Sequence, residues 1–314
     1  MSANIQSMAY YGEKPWHDFG TKVESAMTAQ EAIKAAGLDW TVKLEPVFTA
    51  QGPVEGYHAV IRDDNKETLG MVQGRYRPLQ NKEAFSFFDS IVGEKAAMYH
   101  TAGALGKGER IWMLAKLPGT IQIINDDVTD KYLLMANSHD GTMKVTIMLT
   151  PIRVVCQNTL NGALSSLASR ASLKHTESIG LKIEEVRQTL GMVNSRFNEF
   201  AEIGKRLAVT DLTKQAFKDY VRHTLNVSDT DHSDLPTRTK NILDKVSELF
   251  ETGKGTDIPG VRGTAWGAYN AITEYVDYHR PTKGDIGNRT KSLLFGSGSI
   301  IKERAWNKAL ELIA

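Results

Sequence analysis

The sequence predicts an α+β chain. An antiparallel or mixed β-sheet region over residues 1–157 is followed by a helical region over 158–314 that holds one long amphipathic helix, residues 178–208. Three observations carry this reading. Short β-branched runs separated by polar turns fill residues 40–150. Near Asn158 the apolar spacing changes from two residues to three and four. No strand–helix–strand period repeats, which argues against a doubly wound sheet.

Residues 1–27 show no clear period. The first start signal is Thr28 with Glu31 three residues on, a capping box that opens a helix over 28–37, closed by Gly37. WTVKLEPVFT (40–49), YHAVIR (57–62) and ETLGMVQ (67–73) read as a strand meander. Asn81 then opens a helix over 81–93 with Phe85, Phe88, Ile91 and Val92 on one face. A second β series follows: MYHTAG (98–103), RIWMLAKL (110–117), TIQII (120–124), KYLLMANSH (131–139) and KVTIMLT (144–150). Turns are expected at Pro118-Gly119 and Asp140-Gly141.

Asn158–Ser169 has helical spacing. In the long helix, Ile183, Val186, Leu190, Val193, Phe197, Phe200, Ile203 and Leu207 form a nearly heptad stripe that needs a partner. The segment 212–227, with Phe217, Val221 and Leu225, can supply that partner as a hairpin, and a second subunit is the other candidate. Helices are further expected over 237–251, 264–279 and 299–314. An acidic loop at 228–236 and a glycine-rich connection at 253–263 separate them. If the tail after Gly284 docks on a second subunit, Trp306 and Ile313 are its anchors.

With 314 residues the chain can bury a large core without staples. Its single cysteine, Cys156, excludes an internal disulfide framework and cysteine-rich metal sites. There is no apolar run long enough to span a membrane and no signal-peptide pattern at the start, so a cytoplasmic protein is expected. Charge is nearly balanced overall but unevenly spread. Residues 1–150 carry 15 basic and 18 acidic side chains, and residues 151–314 carry 23 and 19. From Arg280 onward seven basic residues face three acidic ones, forming a basic tail.

Tests for chemistry return little. The glycine clusters at 103–108, 253–256 and 296–298 miss the spacing of phosphate loops and dinucleotide fingerprints. The eight histidines are scattered, and the group Asp229, Asp231, His232 and Asp234 lacks the glycine and glutamate of a calcium loop. No catalytic residue, metal site or cofactor is therefore assigned. Cys156, among Val154, Val155 and Leu160, reads as a small hydrophobe.

Single-strand binding needs cations interleaved with aromatic platforms. In GRYRPLQN (74–81), Arg75 and Arg77 share one face of an extended segment with Tyr76 between them. Arg153, Arg170 and Lys174 continue the basic character, and Arg289 and Lys291 lie in the tail. These eight residues are the candidate nucleic-acid-binding set.

Several longer strings carry a family resemblance. Trp16-His17 with Gly20, LGMVQGRYRPLQNKEAFSFFDSIVG, TAGALGKGERIWMLAKLPG, YLLMANSHDGTMKVTIMLTPIRVVCQNTLNGAL, GTAWGAYNAITEYVDYHRP and SLLFGSGSIIKERAWNKALEL together resemble the phage- and plasmid-related family catalogued as domain of unknown function number 932. The resemblance covers nearly the whole chain. It implies a role in phage or mobile-element physiology and supplies no catalytic residues. The pattern of antiparallel sheet plus long helix is also loosely similar to ring-forming single-strand annealing proteins, a likeness of architecture alone. The expectation is a non-enzymatic homo-oligomer that binds single-stranded nucleic acid, with Arg75, Arg77, Arg153 and Arg170 along the phosphates and Tyr76 stacking on bases. Two alternatives stay open. One is an interaction protein acting on a host or phage factor in defence or counter-defence. The other is an enzyme with a polar pocket around His139, Asp140, Arg153 and Asn158.

Overall fold

The strand runs assemble into two sheets, and the helical-period segments cover them. The computed structural model describes residues 5–11, 20–24, 27–92, 98–153, 155, 158–159, 170–175, 193–281, 292–293 and 296–314. The smaller sheet is the antiparallel meander β3 (Val42–Thr49), β4 (Gly52–Arg62) and β5 (Thr68–Gln73). The larger sheet has eight strands: β1 (Ile5–Tyr11), β2 (Thr21–Val23), β6 (Met98–Leu105), β7 (Arg110–Ile124), β8 (Asp127–Ser138), β9 (Val145–Arg153), β10 (Asn158–Thr159) and β11 (Arg170–Leu173). Its order is β10-β9-β8-β7-β6-β1-β2, and β11 shares the outer edge of β9 with β10. All its pairings are antiparallel except β1 with β2.

β7, β8 and β9 are long apolar runs because both of their faces are covered. Ile111, Met113, Leu133, Met135 and Ile147 belong to the main core; Trp112, Leu114, Leu134 and Met148 form a second cluster, as alternation along a strand requires. Three local expectations are corrected. Pro118-Gly119 is an irregularity inside the single strand β7, where the pairing slips between Lys116 and Thr120, and no turn splits the strand there. Residues 5–11, which show no period, form a strand between β6 and β2. Asn158–Thr159 is a strand paired with Arg153 and Ile152, so no helix starts there; residues 160–169 lie outside the described residues.

The helices are α1 (Ala29–Ala35), α2 (Asn81–Val92), α3 (Val193–Ala208), α4 (Lys214–Leu225), α5 (Thr237–Thr252), α6 (Ala265–Glu274) and α7 (Ser297–Glu311). A π-helical turn, Tyr275–His279, extends α6. The capping box of α1 forms: Thr28 Oγ1 accepts from the Glu31 amide, and Glu31 accepts from the Thr28 amide at 2.8 Å. α3 covers the last part of the long helix expected over 178–208; residues 178–192 lie outside the described residues. Its stripe is covered within the chain, though not chiefly by the hairpin neighbour. Phe197, Phe200 and Leu207 are buried, α3 packs mainly on β7 and α6, and α4 packs mainly on α7. An aromatic cluster of Phe200, Trp266, Tyr269 and Trp306, with ring centroids 5.1 to 6.1 Å apart, joins α3, α6 and α7. Trp306 is thereby packed in its own chain. No helix among the described residues is long and apolar enough to cross a membrane.

Candidate functional site

The basic segment after β5 is placed by backbone hydrogen bonds. The Gly74 amide donates to Gly56 O at 2.9 Å and the Tyr76 amide to Gln73 O at 2.9 Å, which turns the chain out of the small sheet. The Arg77 amide then donates to His175 O at 3.1 Å, laying the segment beside the end of β11. Arg75, Arg77 and Lys174 are all exposed there. The register Leu173↔Val145 sets Lys174 across from Lys144, also exposed, so four cations share one edge. Tyr57, 44% exposed, opposes Gln73 at the start of this edge and presents its ring to solvent. Lys144 and Tyr57 are absent from the sequence-derived set. Only the pairing of β11 with β9, and of β4 with β5, brings them in.

The remaining expected residues fall elsewhere. Tyr76 is no open stacking platform: its hydroxyl donates to Ser138 O at 3.0 Å, and its ring stacks on His175 with centroids 4.8 Å apart. Burial, followed by the nearby Asp140 carboxylate, pushes its phenol up. Arg153 is corrected outright as a phosphate contact, because its side chain is completely buried. It donates Nε and Nη2 to the two Asp127 oxygens at 2.6 Å each, and Nη1 to Lys254 O at 3.0 Å. The Trp266 indole N–H donates to the same carboxylate at 2.7 Å. A buried guanidinium survives only when well satisfied, and here Asp127 of the sheet and carbonyls of the glycine-rich connection accept from it while Trp266 of α6 holds the carboxylate. Arg170 is placed by its backbone alone, opposite Met148. Arg289 and Lys291 lie outside the described residues.

The polar pocket imagined around His139, Asp140, Arg153 and Asn158 is not brought together. His139 is fully buried and sits 2.8 Å from Asn81 Oδ1 through Nε2. The Asn81 amide nitrogen donates to Leu38 O at 2.9 Å, so Oδ1 accepts and the His139 Nε2 carries the proton. Burial lowers the His139 pKa to about 3, with His175 and Arg62 adding to the effect, so the ring is neutral at physiological pH. Asp140 instead lies 3.6 Å from Arg110 and caps Thr142 at 2.9 Å. This corner receives the small sheet: a Cβ on Gly70 in β5 would lie 2.7 Å from Asp140 Cα. His232 of the acidic loop is also partnered, 3.0 Å from Asp244. Among the described residues no group of three or more His, Cys, Asp or Glu is placed to hold a metal ion. Cys156 lies outside them.

The arrangement offers cations and one exposed ring along an edge, the kind of groups that hold a polyanion. A family model described as "Domain of unknown function (DUF932)" matches residues 68–294, from β5 through the helical layer. No curated protein and no solved structure matches the chain.

Proposed function

The chain belongs to the family described as domain of unknown function DUF932, and from that premise we propose that it is a non-enzymatic, cytoplasmic phage or mobile-element protein that binds single-stranded nucleic acid. The observation that carries this is the edge formed by Arg75, Arg77, Lys144 and Lys174 with Tyr57 beside it. Cations on an exposed edge track phosphates by releasing counterions, and an exposed tyrosine gives a base a face to stack on without choosing its sequence. No cofactor is needed for either. In the sequence, Ile183, Val186 and Leu190 keep the heptad-like spacing of a self-assembly seam, which would give a longer binding track.

The test is anisotropy of labelled single-stranded DNA at low and raised salt, with the mass of the free protein read by light scattering. Binding that weakens with salt is expected, and the double variant Arg75→Ala/Arg77→Ala should reduce the log–log salt slope by about 1.4, two contacts at roughly 0.7 each. No binding at low salt, or an unchanged slope, overturns the reading.

One observation favours a protein partner instead. Phe48 and Met71 on the small sheet are 66% and 67% exposed, apolar surface of the kind that interaction proteins present. A salt-insensitive partner captured through Met71, and lost in Met71→Asp, would favour this second reading.

A further inference from the structure

A cleft of about 430 Å³ opens in the helical layer where α4 ends, α5 begins and the π-helical turn passes behind them. That volume lies in the range of small-molecule sites. Leu225, Val227, Ile242 and Ile301 form an aliphatic wall, and among the described residues no carboxylate lines the space. Arg238 and Arg280 line it from two sides. Arg280 is held in place by Ser297 Oγ at 3.0 Å and Ser292 Oγ at 3.3 Å, whereas Arg238 stands exposed on the first turn of α5.

Two further features point to a bound anion. The 16-residue helix α5 starts after Pro236 with no side-chain cap. Thr239 and Lys240 both donate to Pro236 O, at 2.8 and 3.0 Å, and the amides ahead of them have no such acceptor within the helix. Independently, Tyr275 also lines the cleft while only 3% exposed, and no protein group among the described residues hydrogen-bonds its hydroxyl. Burial raises the Tyr275 phenol, while the charges of Arg280 and Arg238 pull it back.

We propose that this cleft binds a phosphate monoester. The phosphate would lie between Arg238, Arg280, the Tyr275 hydroxyl and the open amides of α5, with the organic group against the Leu225–Ile242 wall. Two guanidinium groups, a phenol and a helix start supply the donors and positive potential that a dianion uses, and no carboxylate among the described residues lines the cleft to cancel it. Such a group can come from a free nucleotide or from the 5′ end of a strand. This site shares no residue with the Arg75–Lys174 edge and stands or falls separately.

Calorimetric titration of the full chain with AMP, adenosine, and a short oligonucleotide with and without a 5′-phosphate tests it. Saturable binding of a phosphorylated probe, at least tenfold weaker in Arg238→Ala, is expected. Tyr275→Phe should weaken it too, and Arg75→Ala/Arg77→Ala should leave AMP binding unchanged. A 5′-phosphorylated strand that outbinds both AMP and its 5′-hydroxyl counterpart identifies a strand end as the source; AMP binding as tightly as that strand identifies a free nucleotide. The proposal is overturned if adenosine binds as tightly as AMP, if no phosphorylated probe binds, or if Arg238→Ala changes nothing.

Discussion

The large sheet is held to its neighbours at two places by opposite chemistry. At one end, Asp127 and Arg153 bury a full ion pair, sealed by the Trp266 indole and by carbonyls of the glycine-rich connection. At the other, His139 and Asn81 bury a neutral pair where the small sheet docks against the turn at Asp140. The charged joint ties the sheet to the later helices, and the neutral joint ties it to the start of α2 beside the small sheet. The lesson is that burial decides what a polar residue does more than its type. Arg153 and Arg77 have the same side chain, yet one is enclosed and the other meets solvent.

The largest effect should come from breaking the charged joint. Arg153→Met leaves Asp127 buried without its cation and should cost about 3–5 kcal/mol in urea unfolding. Pairing it with Asp127→Leu should recover much of that loss, since an apolar pair removes both desolvation penalties. A single variant as stable as the native chain would show that the joint is dispensable. Next comes Gly70→Ala at the neutral joint. Its Cβ would meet backbone of Asp140, which cannot swing aside, and the expected cost is about 1–3 kcal/mol. The smallest effect separates the joints by pH. His139 has its pKa lowered to about 3, so between its ordinary value and that one the unfolded chain binds the extra proton and stability falls as pH falls. At one pH unit below the ordinary histidine value of about 6.5 that amounts to roughly 1.4 kcal/mol. In His139→Gln this share of the slope should vanish, while Arg153→Met should leave it in place.

Much of the fold was legible in the sequence because its signals are local. The small-sheet strands follow from alternation, α1 from Thr28 and Glu31, and the helices after Ala265 from spacing alone. β1 was not legible, because Met8, Ala9 and Tyr10 are buried in succession and leave no period of two. β7 hid as two strands because Pro118-Gly119 is the signature of a turn and of a bulge alike. In the candidate edge, Arg75 and Arg77 could be read from one short string. Lys144 could not, because its place beside Lys174 depends on a register between segments far apart in the chain. Arg153 was misplaced for the same reason: nothing near it in sequence announces Asp127, and the partners at 254 and 266 lie further still.

The glycine-rich connection has a consequence for how the chain is made. Asp127 and Arg153 leave the ribosome well before the carbonyl of Lys254 and the indole of Trp266, which lie 101 residues beyond Arg153 and 139 beyond Asp127 respectively. Until then the pair stays wetted on the side that the connection later closes. A nascent chain can therefore lay down most of its strands early yet keep that margin open. The later helices do more than cover a finished sheet: that margin closes only with the connection and α6, so the β region reaches its final state only after the chain has been made past Trp266.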